Sequence, residues 1–271
     1  MASTSLNLRP VASAGSTAVT HPVPQPSCIE PWKFQYAGSK DGKEANLLVM
    51  LHGLGALPLM DNPSFSWHPI SADDFLLETA DDGLPTSLQR LTTHTLPLLV
   101  KLFRYLVADL EWDLERIHLF GWGQGGSVAL EMARYLGLNG LGETNRNQSK
   151  QSTRLDAKRL GSATSICGPL LSGLSVNQTL NISTPVFYFS RIATTTTESK
   201  TQKSFLQRTF KPETTTFIAG RSTGRGDARM LQGADEWAPV MKFWSGVLKR
   251  GDEQEWMKQA SKGGDVYEVV P

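Results

Sequence analysis

Two glycine-rich segments carry the residues best suited to chemistry in this sequence, and each follows an apolar run. The first is LHGLG, from Leu51 to Gly55, and the second is GWGQGG, from Gly121 to Gly126. Glycine clusters at the carboxyl ends of parallel strands let backbone N–H groups point into a crevice, where they stabilise an anion. The two segments therefore predict a site of the oxyanion-hole type.

The elements around these segments alternate as in a parallel α/β sheet. Leu47 to Leu51 and Arg116 to Phe120 read as buried strands, and SVALEMARYLGL after the second motif reads as a helix. We expect further strands at about 163–167, at 185–190 and in TTTFIAG, and further helices at about 86–113 and in GADEWAPVMKFWSGVL. Residues 193–213 are rich in Thr and poor in apolar residues, which predicts a mobile excursion.

Composition limits the classes of partner. The 271 residues include 27 Lys+Arg and 26 Asp+Glu, a formal charge of +1, which disfavours nucleic acid as a partner. Two cysteines cannot build a disulfide framework or a four-ligand zinc site, and no run approaches the about 20 apolar residues of a membrane span. We expect a cytoplasmic chain without metal or cofactor, with a disordered leader at 1–27, one domain at 28–248 and a charged tail at 249–271.

The segments NLLVMLHGLG and RIHLFGWGQGGSVALEMA resemble the phospholipase/carboxylesterase family of α/β-hydrolases, which includes acyl-protein thioesterases. The similarity extends over roughly 31–248. It implies the α/β-hydrolase fold, a mostly parallel central sheet flanked by helices. In that family the second motif reads Gly-x-Ser-Gln-Gly-Gly, with the serine as nucleophile on a strained strand-to-helix turn. The resemblance implies an oxyanion hole and pocket at His52, Gly53, Leu54, Gly55, Trp122, Gln124 and Gly125, with a substrate-side loop at Trp67 and His68.

The residues of the catalytic triad depart from the family's pattern. Gly123 stands at the serine position, and Ser127 lies one helical turn beyond it, where it reads as a cap or packing residue. The family's order is nucleophile, acid, histidine, yet all five histidines precede Gly123. The segment after PVFYFS, where the acid is expected, contains only Glu198. We therefore predict that no intact triad forms. The part of the oxyanion hole that we expect to remain consists of the backbone N–H groups of Gln124 and of Leu54 or Gly55.

A second departure follows the first motif, where Gly55 runs directly into Ala56. The family has a helix and another strand there, so the chain lacks about one βα unit. We expect that strand to belong inside the sheet, so that its loss leaves a gap or shifts the register. A splice or gene-model variant is our hypothesis for the loss; repair of the sheet by the N-terminal segment is the alternative.

Three functions are compatible with these residues. The first is a catalytically impaired pseudo-hydrolase that binds an acyl or ester-like ligand or a protein partner. The second is an active carboxylic-ester or acyl-protein thioester hydrolase in which a group such as His52 activates water, although a hydrogen bond from this imidazole to loop backbone is the simpler reading. The third is nucleotide binding, since Gly121, Gly123 and Gly126 spell Gly-x-Gly-x-x-Gly. His118, which alternates with apolar neighbours, is predicted to be a hydrogen-bonded core histidine, and Trp122 to pack or to line the pocket.

Overall fold

The computed structural model describes residues 21–30, 34–39, 44–53, 67, 86–142, 155–175, 178–192, 195–220 and 229–249. Several predicted features lie outside these ranges: Leu54, Gly55, His68, and most of the predicted leader and tail. Within the described residues, no helix is long and apolar enough to cross a membrane.

Five parallel strands form the sheet, in the spatial order β1-β2-β3-β4-β5. Their bounds are Leu47–Leu51 (β1), Ile117–Trp122 (β2), Ser162–Ile166 (β3), Val186–Ser190 (β4) and Thr215–Ala219 (β5). The predicted parallel α/β sheet is therefore confirmed, with ends that differ by one or two residues because apolar runs do not mark where pairing stops.

Helices cover both faces of the sheet. The five α-helices among the described residues are α1 (Thr86–Arg90), α2 (Leu96–Arg104), α3 (Gln124–Asn139), α4 (Thr197–Thr209) and α5 (Gly233–Val247). Single π-helical turns at Leu91–Thr95 and Tyr105–Asp109 make 86–109 helical throughout, as predicted. Short 3₁₀ turns lie at Pro26–Ile29, Leu114–Arg116, Leu171–Ser175 and Pro212–Thr214.

Alternate residues of the strands supply two separate cores. On one face, Leu119 of β2 packs with α2 and α3; we call this the α3-side core. On the other face lies the α5-side core, formed by Phe120, Ile166, Phe187, Phe189, Leu231 and Val240. This period of two is what a strand buried on both faces requires.

The predicted excursion at 193–213 is wrong for most of its length, because α4 occupies Thr197–Thr209. The Thr196 hydroxyl caps the helix by accepting a hydrogen bond from the Ser199 N–H. Phe205 and Leu206 are buried in the α3-side core. A helix needs only a few apolar residues on one stripe to dock, so its otherwise polar composition concealed it.

The predicted gap in the sheet is not found where strands are described. β1 pairs with β2 in continuous register, from Leu47 opposite Ile117 to Leu51 opposite Gly121. β1 instead stands at the edge of the described sheet. Among the described residues, no strand therefore lies beyond β1.

The end of the predicted leader makes tertiary contacts. The His21 ring stacks on Trp112 with ring centroids 3.9 Å apart, and its Nδ1 lies 3.0 Å from the Leu110 carbonyl oxygen. His21 therefore contacts the segment of the chain that precedes β2.

Candidate functional site

The two glycine motifs meet at the carboxyl ends of β1 and β2. A Cβ added at Gly125 would lie 2.2 Å from the Leu51 carbonyl oxygen and 2.5 Å from that of His52. Real Cβ atoms do not approach backbone oxygens so closely, so only glycine lets α3 pack directly against the end of β1. The structure thus brings together the two segments that the sequence singled out.

Gly123 forms the turn between β2 and α3 in a conformation that side-chain-bearing residues rarely adopt, with φ 53° and ψ −122°. Its N–H donates to the Ile166 carbonyl oxygen at 2.8 Å, which ties the turn to β3. A Cβ built there would meet only the Gly53 Cα, 3.8 Å away. The turn is therefore sharp and strained, and there is room at its apex.

Helix α3 points its N-terminus at this apex. The helix has 16 residues, and Gly123 as its N-cap supplies no side-chain hydrogen bond to the first turn. The aligned peptide dipoles of a helix place about half a positive charge at its N-terminus. The backbone of Gln124 and Gly125 therefore lies in a field that favours an anionic group.

His52 is held by backbone and by an aromatic neighbour. Its Nδ1 lies 2.7 Å from the Gly53 carbonyl oxygen, and because a carbonyl only accepts, Nδ1 carries the proton. Its ring centroid lies 4.8 Å from that of Trp67, whose Nε1 donates to the His52 carbonyl oxygen at 2.7 Å. The Thr95 hydroxyl in turn donates to the Trp67 carbonyl oxygen. The imidazole thus makes the backbone hydrogen bond that the sequence favoured, and its Nε2 carries the ring's lone pair in the neutral form.

Trp122 forms a second aromatic wall beside the first motif. A Cβ at Gly53 would lie 2.9 Å from the Trp122 ring, so the indole lies directly over that glycine. The same side chain is half-buried against the α5-side core. Trp122 therefore packs against the α5-side core and also borders the turn, so packing and lining the pocket are compatible roles for this residue.

Ser127 and His118 lie away from the apex. Ser127 is buried within α3, and its N–H donates to the Gly123 carbonyl oxygen at 3.1 Å. His118 is fully buried in β2, with Nδ1 2.9 Å from the Ser162 hydroxyl and Nε2 3.1 Å from the Asn46 Oδ1. Burial, together with the nearby Lys249 ammonium, lowers the pKa of His118 to about 4. His118 is therefore the neutral, hydrogen-bonded core histidine that the alternation predicted.

Sequence reasoning missed an ion pair between the end of β4 and the start of α5. Arg191 is 4% exposed and donates through Nη1 and Nη2 to the two carboxylate oxygens of Glu236, at 2.7 and 2.6 Å. It also donates to the backbone carbonyl oxygens of Arg229, at 3.2 Å, and Met230, at 3.0 Å. The hydrogen bonds from Arg191 hold the pKa of Glu236 below its ordinary value.

This ion pair joins the segment after β4, where the resemblance places the family's acid, to the start of α5. A bidentate guanidinium–carboxylate pair fixes geometry but supplies neither a base nor an orienting acid for one. The sequence signal was a charged residue directly after the apolar PVFYFS strand.

The described residues at the carboxyl edge of the sheet offer few groups that could bind a metal ion or a nucleotide. No cluster of three or more His, Cys, Asp or Glu side chains occurs within the described ranges. The strand that follows α3 is β3, and it ends at Ile166 with Cys167 and Gly168 next, where a dinucleotide fold would place an acid for the ribose. A groove of about 260 Å³ lies elsewhere, between α4 and β5, lined by Lys203, Leu206, Gln207, Thr215 and Phe217.

Comparison with known proteins finds similarity in sequence to a protein described as a hydrolase and in fold to an esterase. No family model matches the chain. A protein of Mycosarcoma maydis described as uncharacterized hydrolase UM10204 is 27% identical over 241 residues, covering 78% of this chain and 80% of that protein. The solved structure of esterase PE8 matches with a TM-score of 0.52 and 14% identity, over 78% of this chain and 97% of that one.

Acyl-protein thioesterase 2 of Zea mays matches with a TM-score of 0.46 and 16% identity, over 76% of this chain and 95% of that one. A phospholipase/carboxylesterase from Dyadobacter fermentans matches with a TM-score of 0.45 and 16% identity, over 79% and 94%. The predicted resemblance is confirmed: the match to esterase PE8 shows an α/β-hydrolase fold, and the sequence match is to a hydrolase.

Proposed function

We propose that this α/β-hydrolase-fold chain is a non-catalytic relative of esterases and acyl-protein thioesterases that binds the carboxylate end of an acyl ligand at the turn between β2 and α3. The observation that carries the proposal is Gly123. It adopts the strained turn of a nucleophile elbow, at φ 53° and ψ −122°, and has no side chain with which to attack a carbonyl.

Neither the order of the histidines along the sequence nor the described residues offer a substitute triad. All histidines of this sequence precede Gly123, and the two segments after β4 and before α5 are joined by Arg191 and Glu236. Ser127, the nearest hydroxyl along the chain, is 2% exposed. Loss of nucleophile, base and acid together removes covalent catalysis, whereas loss of one member alone leaves room for repair.

Binding survives the loss of the triad because it depends on backbone and on aromatic surface. The N-terminus of α3 favours a carboxylate, and the N–H of Gln124 is the expected donor to it. Trp67 lies beside the His52 ring and Trp122 lies over Gly53, and both would offer apolar surface to the first carbons of an acyl chain. An anionic head at the helix end and an apolar tail along the indoles are the two halves of a fatty-acid site.

Removing the backbone N–H of Gln124 tests this proposal. Gln124 is the first residue of α3, a position where proline is tolerated because its missing N–H has no partner within the helix. Gln124→Pro deletes the donor, and Gln124→Ala keeps it and serves as the matched control.

The measurement is the thermal shift with sodium decanoate. We expect decanoate at a hundredfold excess over its dissociation constant to raise the midpoint of the wild type by about 5–10 °C. Gln124→Ala should keep that shift and Gln124→Pro should lose most of it, with unchanged circular dichroism. No shift in the wild type, or an equal shift in both variants, would contradict binding at this N–H.

A second candidate is hydrolysis by water that His52 activates. It is favoured by one observation: the Nδ1 hydrogen bond to Gly53 leaves the lone pair on Nε2, the state of a general base. Turnover of p-nitrophenyl butyrate that His52→Gln abolishes would support this candidate over the non-catalytic one.

A further inference from the structure

A buried polar network lies at the edge of the sheet where the parallel strands begin, opposite the turn at Gly123. His118 of β2 is fully buried, and its Nδ1 lies 2.9 Å from the hydroxyl of Ser162, the first residue of β3. Its Nε2 lies 3.1 Å from the Oδ1 of Asn46, which directly precedes β1. One imidazole therefore joins the beginnings of three strands.

A glycine makes room for the His118 ring. A Cβ added at Gly161 would lie 2.4 Å from the His118 Cε1, closer than real Cβ atoms approach. The Gly161 N–H donates to the Ile117 carbonyl oxygen at 3.0 Å, which fixes the backbone beside the ring. The imidazole is therefore held in one place by close packing as well as by its two hydrogen bonds.

The Asn46 side chain also holds the end of α5. Its Nδ2 donates to the Lys249 carbonyl oxygen at 2.7 Å, and its Oδ1 accepts from the Lys249 N–H at 3.1 Å. Lys249 follows shortly after Val247, the last residue of α5. Two hydrogen bonds through one amide group therefore fasten the C-terminal end of α5 to the start of β1.

These contacts suit a neutral His118. The Asn46 Oδ1 only accepts, so the His118 Nε2 carries a proton and donates to it, while Nδ1 accepts from the Ser162 hydroxyl. A second proton, on Nδ1, takes that acceptor from the hydroxyl and places a full charge in a fully buried ring. A buried charge without a partner is strongly disfavoured, so a protonated ring favours a state in which water reaches it.

The charged groups around the network do not compensate a charge on His118. The Lys249 ammonium is a like charge, and it contacts a Glu115 carboxylate oxygen at 2.9 Å. Arg116 donates to the backbone just before β1, and Arg159 adds positive charge near Glu115. The hydrogen bond from Lys249 holds the pKa of Glu115 below its ordinary value, so this carboxylate is ionised and already paired where a histidine titrates.

We propose that Asn46 and His118 form an acid-sensitive latch: neutral His118 orients Asn46 to hold the end of α5 against β1, and protonation of His118 releases that end while the sheet stays folded. One side chain separates Nε2 from Lys249, so moving residue 249 away lets water reach Asn46 and then the ring. The opening is local because the hydrogen bonds it breaks belong to that side chain. The latch lies at the opposite edge of the sheet from Gly123 and does not depend on what binds there.

Exchange of the Lys249 amide hydrogen, followed by NMR and corrected for the intrinsic rate at each pH, tests the proposal. The pKa of His118 is about 4 with the latch closed and about 6.5 once water reaches the ring, so the closed state is fully favoured above pH 6.5 and loses ground as the pH falls toward 4. We expect the protection of the Lys249 N–H to fall about twentyfold between pH 7 and pH 5. Protection that stays constant over this range would overturn the proposal.

Low concentrations of urea distinguish local opening from unfolding of the whole domain. Local opening exposes little surface, so the protection of the Lys249 N–H should not respond to urea. The reference is the Cys167 N–H, which donates to the Phe189 carbonyl oxygen at 2.7 Å at the far end of the sheet and should lose protection as urea rises. An equal response of the two amides to urea would overturn the proposal.

Variants of the full chain assign the effect to the latch. Asn46→Ala removes both bonds to Lys249 and should leave its N–H poorly protected at pH 7 and at pH 5 alike. His118→Gln has no titratable group and should abolish the pH dependence. Ser245→Ala is the matched control, because this exposed α5 hydroxyl donates to the backbone of its own helix, and it should behave like the wild type.

The wild-type series in pH and urea stands alone if a variant in the buried network folds poorly. A fall in protection that persists in His118→Gln, or unchanged protection of the Lys249 N–H in Asn46→Ala, would also overturn the proposal.

Discussion

Gly125 touches the end of β1: a Cβ at this residue would lie 2.2 Å from the Leu51 carbonyl oxygen. The two residues belong to the two glycine motifs and are 74 positions apart in the sequence. Their contact sets the depth at which α3 sits against the sheet, and therefore where the helix N-terminus points. Gly125 is in this way explained by packing, whether or not the chain binds a ligand there.

Replacing Gly125 by alanine should destabilise the fold. The added methyl group cannot fit beside the Leu51 and His52 oxygens, so helix or strand must move, at a cost of about 2–4 kcal/mol in the free energy of unfolding. Urea unfolding measures it. Gly246→Ala in α5 is the control: nothing lies within 4 Å of its Cβ, and the substitution should stabilise by about 0.5–1 kcal/mol. Equal effects of the two variants would contradict the close packing.

Removing the Arg191 guanidinium should cost about 3 kcal/mol, because Arg191→Met leaves the Glu236 carboxylate and two backbone carbonyl groups without their donor. The comparison is Glu115→Gln, which breaks the exposed pair with Lys249 and should change stability by less than about 1 kcal/mol. Both can be followed by urea unfolding at pH 7. A loss at Arg191 no larger than that at Glu115 would show that the bidentate pair does not hold the β4–α5 junction.

His118 should make the fold sensitive to mild acid. Its pKa is about 4 in the folded protein and about 6.5 in an unfolded chain, so the unfolded state takes up the proton first. The stability is fully present above pH 6.5 and falls as the pH is lowered toward 4, by up to about 3 kcal/mol from this residue. His118→Gln should flatten that part of the stability–pH curve. A steep curve in His118→Gln would assign the effect to other groups.

The sheet and the β2–α3 turn were predictable because their signals are local. Each of the five apolar runs, the glycine-rich turn and the amphipathic pattern indicates the secondary structure of the segment in which it occurs. Helix α4 was missed because its few buried residues, among them Phe205 and Leu206, are diluted by polar ones. Position in the sheet is not a local property, so the sequence led us to expect a gap or a register shift inside the sheet, whereas the described strands pair continuously with β1 at their edge.

The polar network around the site was harder to predict than the site itself. Arg191 and Glu236 are 45 positions apart, and Asn46 and Lys249 are 203 apart. No sequence spacing predicts either pair, since only the fold brings the two partners of each pair together. The neutral state of His118 could be predicted from the alternation around it, but its partners Ser162 and Asn46 could not.

The most direct test of a non-catalytic Gly123 turn is turnover of p-nitrophenyl butyrate by the purified full chain, measured in parallel with a fluorophosphonate probe that labels activated serines. We predict no turnover above that of the Gln124→Pro variant and no labelled serine, because Gly123 has no nucleophile and Ser127 is buried. Labelling at Ser127, or turnover that His52→Gln abolishes, would contradict the account.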